Sequence, residues 1–257
     1  YIDFTDEPER ILAVPLSYDV DELREMPEKK RVKLWRRIIK TLQSYGVECL
    51  YLPLELLKLP DSNIFQDYFV LPDGRYVFSA VIGDILRKCA KQYRADLAAS
   101  EIGVWQSCFN DIGYSVLKQV AGSLKYVTLF TGDQASAAII ADRIYQQTGL
   151  SARISLLPSE MNRCSFVILA DALPRAIINE NTAVIDASGE YGSGCVNTVL
   201  FTVPPKLAAV TPLVGDIDQR TAEMILYACG QHPQTLSGKA ESFGNLGMKI
   251  KNVCYRR

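Results

Sequence analysis

The side chains best placed to handle a ligand lie in one short segment, Ser107-Cys108-Phe109-Asn110-Asp111-Ile112-Gly113. An apolar run at 101–106 precedes it, a helical pattern follows, and a second apolar run comes at 126–131. Strand, helix, strand with a polar first crossing is the opening of a dinucleotide-binding βαβ unit. Such a unit uses glycines to bring backbone close to a pyrophosphate and helix N–H groups to hold it. Here Gly113 is the one glycine of the turn 107–113. Phe109 stands at the tight point, where a ring would crowd a diphosphate. Asp111 adds negative charge beside two phosphate charges, an unfavourable pairing once water is excluded. Ser107, Asn110 and Gly113 are the candidate cofactor contacts of this turn. Asp133 follows the second run, where a ribose-binding acid belongs; capping of the next helix is the competing reading. No Arg lies between 131 and 142 to meet a 2′-phosphate, so NAD is the possible cofactor rather than NADP.

A second candidate is the glycine-rich turn 189–194, after an apolar run at 183–186. It belongs at the carboxyl end of a central strand, where ligands bind in open α/β sheets. Gly189 and Ser193 are its cofactor-binding candidates, and Ser188 and Asn197 can serve a ligand beside them. A plain crossover loop is an equal reading. Catalytic residues are harder to find. The seven Cys, at 49, 89, 108, 164, 195, 229 and 254, form no C-x-x-C pair. Scattered and odd in number, they fit reduced, buried thiols in the cytosol better than a disulfide framework. Cys108 and Cys195 fall in expected loops, but no activating base stands near them. His232 is the only histidine, next to Gly230 and Pro233, as in an exposed turn. A Ser-His-Asp machine would rest on it alone, and no metal-ligand spacing is present.

These positions need a frame. The chain has 257 residues, 48% hydrophobic and 22% charged, with a net charge of −1. That is ordinary for one large or two small globular domains, with no global attraction to nucleic acid or anionic lipid. No apolar run approaches the roughly 20 residues that cross a bilayer. The expected compartment is cytoplasmic. Tyr1 opens the chain in place of Met, which fits missing native N-terminal residues, and no signal peptide is visible.

The periodicity predicts a strand at 10–16, then a helix with Val32, Trp35, Ile38, Ile39 and Leu42 inward, stopped at Gly46. A strand at 47–53 follows. That helix also carries Lys29, Lys30, Arg31, Lys33, Arg36, Arg37 and Lys40. A polyanion-binding face is one reading. With Glu22, Glu25 and Glu28 close by, a solvated face is preferred, and no nucleic-acid partner is expected. Pro72-Asp73-Gly74 between apolar runs predicts a β-hairpin over 67–79. A helix over 81–93 presents Ile82, Ile85, Leu86 and Cys89 on one face. A helix over 134–148 is expected to turn Ala135, Ala138, Ile139 and Ile144 inward and to stop at Gly149. Strands are predicted at 152–156, 166–169 and 183–186, with an edge strand at 199–203. A last helix over 217–229 has Asp216 as cap and Gln219 to complete a capping box. Strands separated by helices imply a parallel, doubly wound sheet.

The segment 211–226 resembles the T-P-V-P-G-G-V-G-P-M-T-x-x-M-L-L run of the methylenetetrahydrofolate dehydrogenase/cyclohydrolase family, through Thr211, Pro212, Gly215, Thr221, Met224 and Leu226. Residues 183–186 resemble that family's strand ending in V-I-D, and 102–107 with Ile112-Gly113 its V-V-I-G-R-S…V-G start. The N-terminal half is similar to the shikimate dehydrogenases. Residues 50–55 match a Y-x-P-x-x-V strand, and Asp73-Gly-Arg-Tyr-Val77 matches a D-G-x-L-V hairpin. The resemblance implies two domains and nicotinamide-linked oxidoreduction. The departures remove the chemistry. The shikimate family's N-T-D becomes Ala80-Val81-Ile82, its V-T-x-P-x-K lysine has no counterpart beyond an out-of-context Lys58, and the folate family's Y-x-x-x-K is not found.

The expected fold is therefore α/β: a Rossmann-like doubly wound parallel sheet over 99–230, with a smaller N-terminal α/β domain with a hairpin over 1–98. The tail 231–257 is expected to pack back on the N-terminal domain. The expected function is a divergent dehydrogenase-like protein without shikimate or folate turnover. It would bind a small molecule or protein partner in the interdomain cleft. An active NAD-dependent oxidoreductase with altered catalytic residues is the alternative. No membrane partner is expected, and a homodimer is the base-rate expectation.

Overall fold

In the computed structural model, residues 14–173, 178–179, 181–188, 191, 194–202, 216–228 and 249–256 are described. The N-terminal unit is mostly helical: α1 (Val20–Glu25), α2 (Glu28–Ser44), α3 (Leu54–Leu57) and a 3-10 helix (Ser62–Asp67). A capping box at Asp19 and Glu22 starts α1. The inward stripe of α2 is Trp35, Ile39 and Leu42, as its periodicity requires, and it packs on Leu23, Leu56 and Phe65. Arg31 also turns inward, so it leaves the basic face. Of the strand expected at 47–53, one parallel bridge remains, Cys49 to Val70. Residues 14–16 form no strand, and 10–13 lie outside the described residues.

The expected hairpin is replaced by a turn into a helix. Gly74 adopts φ 82°, and α4 (Arg75–Ala80) starts directly after it. Asp73 turns the chain by accepting the Arg75 N–H at 2.8 Å. The run after the turn is buried on every side, with Val77, Phe78, Ser79 and Ala80 at 3% exposure or less. An apolar run this short does not distinguish strand from helix. Here it lies against the helices 111–121 and 219–228, and among the described residues no strand stands beside it to complete a hairpin. α5 (Ile82–Tyr93) follows with its expected face fully buried.

The rest is a Rossmann-like sheet. Its strands are β1 (Ile102–Trp105), β2 (Tyr126–Phe130), β3 (Ser151–Ser155), β4 (Phe166–Leu169), β5 (Ala183–Asp186), β6 (Cys195–Thr202), β7 (Asp216–Ile217) and β8 (Lys249–Arg256). The order is β3-β2-β1-β4-β5-β6-β7, with β8 paired to β6. The pairs from β3 through β6 are parallel, and β7 and β8 join antiparallel. The connecting helices are α6 (Asp111–Ala121), α7 (Gln134–Thr148) and α8 (Gln219–Ala228). Alternation splits the strand residues between two layers. Ile102, Val104, Val127, Leu129, Phe166 and Ile168 meet α4 to α8 on one face. Trp105, Phe130, Val167, Leu169, Val184 and Cys195 meet Met161, from the 3-10 helix Pro158–Arg163, on the other.

Several finer expectations change. β6 begins at Cys195 and is flanked on both sides, so it is no edge strand; Cys195 is a buried strand residue rather than a loop thiol. Asp218 caps α8, accepting the Thr221 N–H at 2.8 Å, while Asp216 pairs in β7. α7 buries Ala137, Ile140 and Ile144 and leaves Ile139 68% exposed; an alanine-rich helix gives the pattern too little contrast to fix its rotation. The described part of the tail enters the sheet as β8. It touches α5 through Lys88 Nζ, which donates to the carbonyls of Ile250 and Lys251 at 3.0 and 3.2 Å.

Candidate functional site

The strand order reverses between β1 and β4. Ligands of open α/β sheets bind in the crevice outside the carboxyl ends of such a pair. The fold brings Ser107, Cys108 and Asn110 from the β1 end, Asp133 from the β2 end and Asp171 from the β4 end to this edge. The crevice is bridged. The Ser107 hydroxyl donates to the Asp171 carboxylate, and the Trp105 Nε1–H donates to the Ala172 carbonyl at 3.0 Å. β1 and β4 are thus joined by side chains just beyond their last ladder bonds.

The α6 N-terminus would have to hold a diphosphate through free N–H groups. Three N–H groups in and before that first turn are already used. The Phe109 N–H donates to Ser136 Oγ at 3.0 Å, and the Asn110 N–H to Gln106 Oε1 at 3.4 Å. Asn110 is the N-cap, its Oδ1 accepting the Ile112 N–H at 2.9 Å. Gln106 Nε2 donates to the same Oδ1 at 2.9 Å, which fixes the cap from below.

The steric expectation for Phe109 is corrected. The ring does not stand in the mouth; it is 5% exposed and belongs to the core between sheet and helices. Gly113 makes room for it. A Cβ there would come within 2.7 Å of Phe109 Cδ1 and 2.2 Å of Gln106 Oε1. This glycine serves side-chain packing, where a dinucleotide turn uses glycine for close approach of a ligand. Asp111 stays on the surface and faces Arg143 at 3.5 Å, with the Arg143 guanidinium 3.7 Å over the Tyr114 ring.

Asp133 caps α7, with Oδ1 accepting the Ala135 N–H at 3.0 Å. That hydrogen bond leads the causes that hold its carboxyl below the usual carboxylate range. Its other oxygen accepts from the exposed Cys108 Sγ at 3.6 Å. Cys108 therefore meets a carboxylate rather than an imidazole or an amine. Thr131 ties the two strand ends together, donating from Oγ1 to the Ser107 carbonyl at 3.1 Å.

At the β5 end, Asp186 is buried and works inward. Its Oδ1 accepts the Ser188 hydroxyl at 2.6 Å and the Ser188 N–H at 3.0 Å, and its Oδ2 accepts the Tyr191 N–H at 3.0 Å. The sequence reading passed over Asp186 and Asp171. Each ends a buried apolar strand, a position that signals a site residue in a parallel sheet. Gly189 and Ser193 lie outside the described residues, as do His232 and 211–215 of the folate-like segment.

Elsewhere, the exposed face of α2 borders a groove of about 440 Å³, lined by Glu28, Lys29, Val32, Lys33 and Arg36, on a different element from the strand ends. Among the described residues, no group of His, Cys, Asp and Glu is arranged to hold a metal, and no helix is long and apolar enough to cross a membrane.

No family model matches the sequence, and no curated protein is similar to it. Among solved structures, the chain is similar to L-tryptophan dehydrogenase from Nostoc punctiforme, with 13% identity, TM-score 0.35, and 65% of this chain aligned to 49% of that one. Shikimate 5-dehydrogenase from Listeria monocytogenes, in complex with shikimate and NAD, gives 13% identity, TM-score 0.29, and coverages of 63% and 65%. Δ1-Pyrroline-2-carboxylate reductase from Thermococcus litoralis, in complex with NADH and L-proline, gives 12% identity, TM-score 0.32, and coverages of 43% and 36%. The chain thus spans between 36% and 65% of the length of these dehydrogenases. The Rossmann-like assignment stands on the strand order itself, and likeness at this level carries no activity across.

Proposed function

We propose that this protein is a divergent, dehydrogenase-like binding module that does not turn over a nicotinamide substrate. The observation that supports it most is the β1–α6 turn. Its Phe109, Asn110 and Ile112 N–H groups are satisfied inside the protein, where a dinucleotide would need them open. Ser107, Asn110, Asp133 and Asp171 offer hydroxyl, amide and carboxylate groups at the switch point. That chemistry suits a small hydroxylated or cationic ligand better than a diphosphate. We read the frame as two units, 1–98 and 99–230, with a ligand or a protein partner held between them.

Thermal denaturation with NAD, NADP and a panel of polyols and amines tests the reading. A ligand at 100 times its dissociation constant stabilises by about 2.7 kcal/mol, a readable melting shift. The expected result is no shift with either dinucleotide. A saturable NAD shift accompanied by hydride transfer to any substrate overturns the proposal.

The second reading, an NAD-linked oxidoreductase, has one observation in its favour. Asp133 is anionic and open to solvent beyond β2, at the place of a ribose-binding acid. It predicts NAD binding that weakens in Asp133→Ala.

A further inference from the structure

The first turn of α8 makes two side-chain attachments to backbone that no strand or helix would otherwise satisfy, through Gln219 and Arg220. β5 pairs with β6 only at Cys195 and Val196, and β7 takes up pairing at Phe201. Between them Gln219 replaces a strand. Its Nε2 donates to the Asn197 carbonyl at 2.8 Å, and its Oε1 accepts the Val199 N–H at 3.0 Å. Arg220 reaches the other way, donating from Nε to the Pro72 carbonyl at 3.1 Å and from Nη2 to the Leu52 carbonyl at 2.8 Å. Its guanidinium lies 5.0 Å over the Tyr51 ring. Glu223, three positions after Arg220, is 2% exposed and lies beside the turn into α4, where the backbone of Val77, Asp73 and Tyr76 favours its ionised form against the larger effect of burial. Gly74 lies beneath the same turn; a Cβ on it would come within 2.5 Å of Gln219 Cγ.

The fit is incomplete at two atoms. Arg220 Nη1 and Glu223 Oε2 are buried and have no hydrogen-bond partner among the described residues, in residues only 7% and 2% exposed. The two side chains are three residues apart on α8 yet form no ion pair with each other among the described residues. A buried acid without a counter-charge is held at a cost that vanishes when it takes up a proton. The groups that face Glu223 are Asp73 and Tyr76 from the turn into α4 and Cys49 from the segment before α3, while Arg220 on its own helix points to the Pro72 and Leu52 carbonyls. Asp73 carries like charge. Burial, and then the Glu223 charge, push the Cys49 thiol up to about 12. Burial, then Asp73 and Glu223, push Tyr76 up as well. Neither changes charge near neutrality.

We infer that the first turn of α8 is a proton-dependent latch between the sheet and residues 49–80, closed when Glu223 is protonated and loosened when it is ionised. Burial first, and the Asp73 charge second, raise the Glu223 carboxyl from 4.5 to about 7. A raised acid favours the closed form below its ordinary value, and the advantage is lost as pH rises through about 7. The latch therefore loosens over the physiological range.

Hydrogen exchange of the whole chain at pH 6 and pH 8, corrected for intrinsic exchange, reads this directly. Amides of 73–80 and 217–228 are expected to lose protection at pH 8 relative to β1 and β2, by up to about tenfold, the most that a carboxyl titrating near 7 gives between those two pH values. In Glu223→Gln the pH contrast should disappear, because the isostere keeps the shape and cannot ionise. Equal protection at both pH values, or a contrast that persists in Glu223→Gln, overturns the latch. Should that variant not fold, isotope-edited infrared spectroscopy of the wild-type Glu carboxyl groups decides. A carboxyl titrating near 7 supports the latch, and full ionisation by pH 5.5 overturns it.

Discussion

Two arginines are buried among the described residues, and the protein treats them differently. Arg31 meets a carboxylate, with Nε 2.6 Å from Asp61 Oδ1, while its Nη1 donates to the carbonyls of Leu23 and Met26 at 2.9 Å each. One side chain therefore ties α1, α2 and the 3-10 helix Ser62–Asp67 together, and its charge is matched where it lies. Arg220 has carbonyls and an aromatic face but, among the described residues, no carboxylate partner, and Glu223 on the same helix is likewise buried without one. Removing one partner of a matched buried pair strands the other, which costs roughly 3–5 kcal/mol. An unmatched pair is held less tightly and answers to pH. The first arrangement fixes a shape and the second leaves it adjustable.

The largest expected effect tests the fixed end of that contrast. Arg31→Ala leaves Asp61 buried without its cation and two carbonyls without donors, so urea denaturation should show a loss of about 3–5 kcal/mol. A loss under about 1 kcal/mol would mean that the pair is solvated in solution. Next comes Glu223→Gln. The wild-type carboxyl is raised from 4.5 to about 7. The folded form therefore binds the extra proton, and stability declines as pH rises across that window. The variant should match wild type near pH 5 and exceed it at pH 8, by on the order of 3 kcal/mol at most. Denaturation curves at the two pH values check both magnitude and sign.

A smaller effect belongs to the β1–α6 turn, where the Phe109, Asn110 and Ile112 N–H groups are all taken up. Asn110→Ala removes the cap of α6 and the acceptor of Gln106 Nε2, and should cost about 1 kcal/mol in thermal or urea denaturation. It should not create NAD binding, because the Phe109 N–H remains bonded to Ser136.

What was legible in the sequence follows the same division. Strongly patterned elements match at nearly full length: α2 and α5 bury the faces that their periodicity marks, and β2, β4 and β5 are the buried apolar runs. Local caps match as well, since Asp133 and Gly149 act on neighbours in the chain. What failed depends on distant partners. The run 76–80 is helical where it packs against α6 and against α8, about 150 residues away. β6 is central because β8 arrives from the far end of the chain. At the candidate site, Ser107, Asn110 and Asp133 were legible from the βαβ spacing, whereas Asp171 needed the strand order that places β4 beside β1. Phe109 was identified as the anomaly of the turn, but its direction was not legible. Only the packing against Gly113 shows that the ring points inward.

The smallest expected effect lies on the helix that carries Arg31. Lys33 and Arg36 follow it by two and five positions, which turns them toward solvent at the edge of the α2 groove. Their heads remain hydrated, so Lys33→Ala and Arg36→Ala should each change stability by no more than about 0.5 kcal/mol. Side by side with Arg31→Ala in the same denaturation series, they separate the contribution of burial from that of charge on a single helix. If all three variants lost comparable stability, helix charge or propensity would explain the Arg31 result, and the contrast between the two buried arginines would lose its fixed end. If only Arg31→Ala is costly, the difference comes from the 2.6 Å contact with Asp61 and the two carbonyls beneath it.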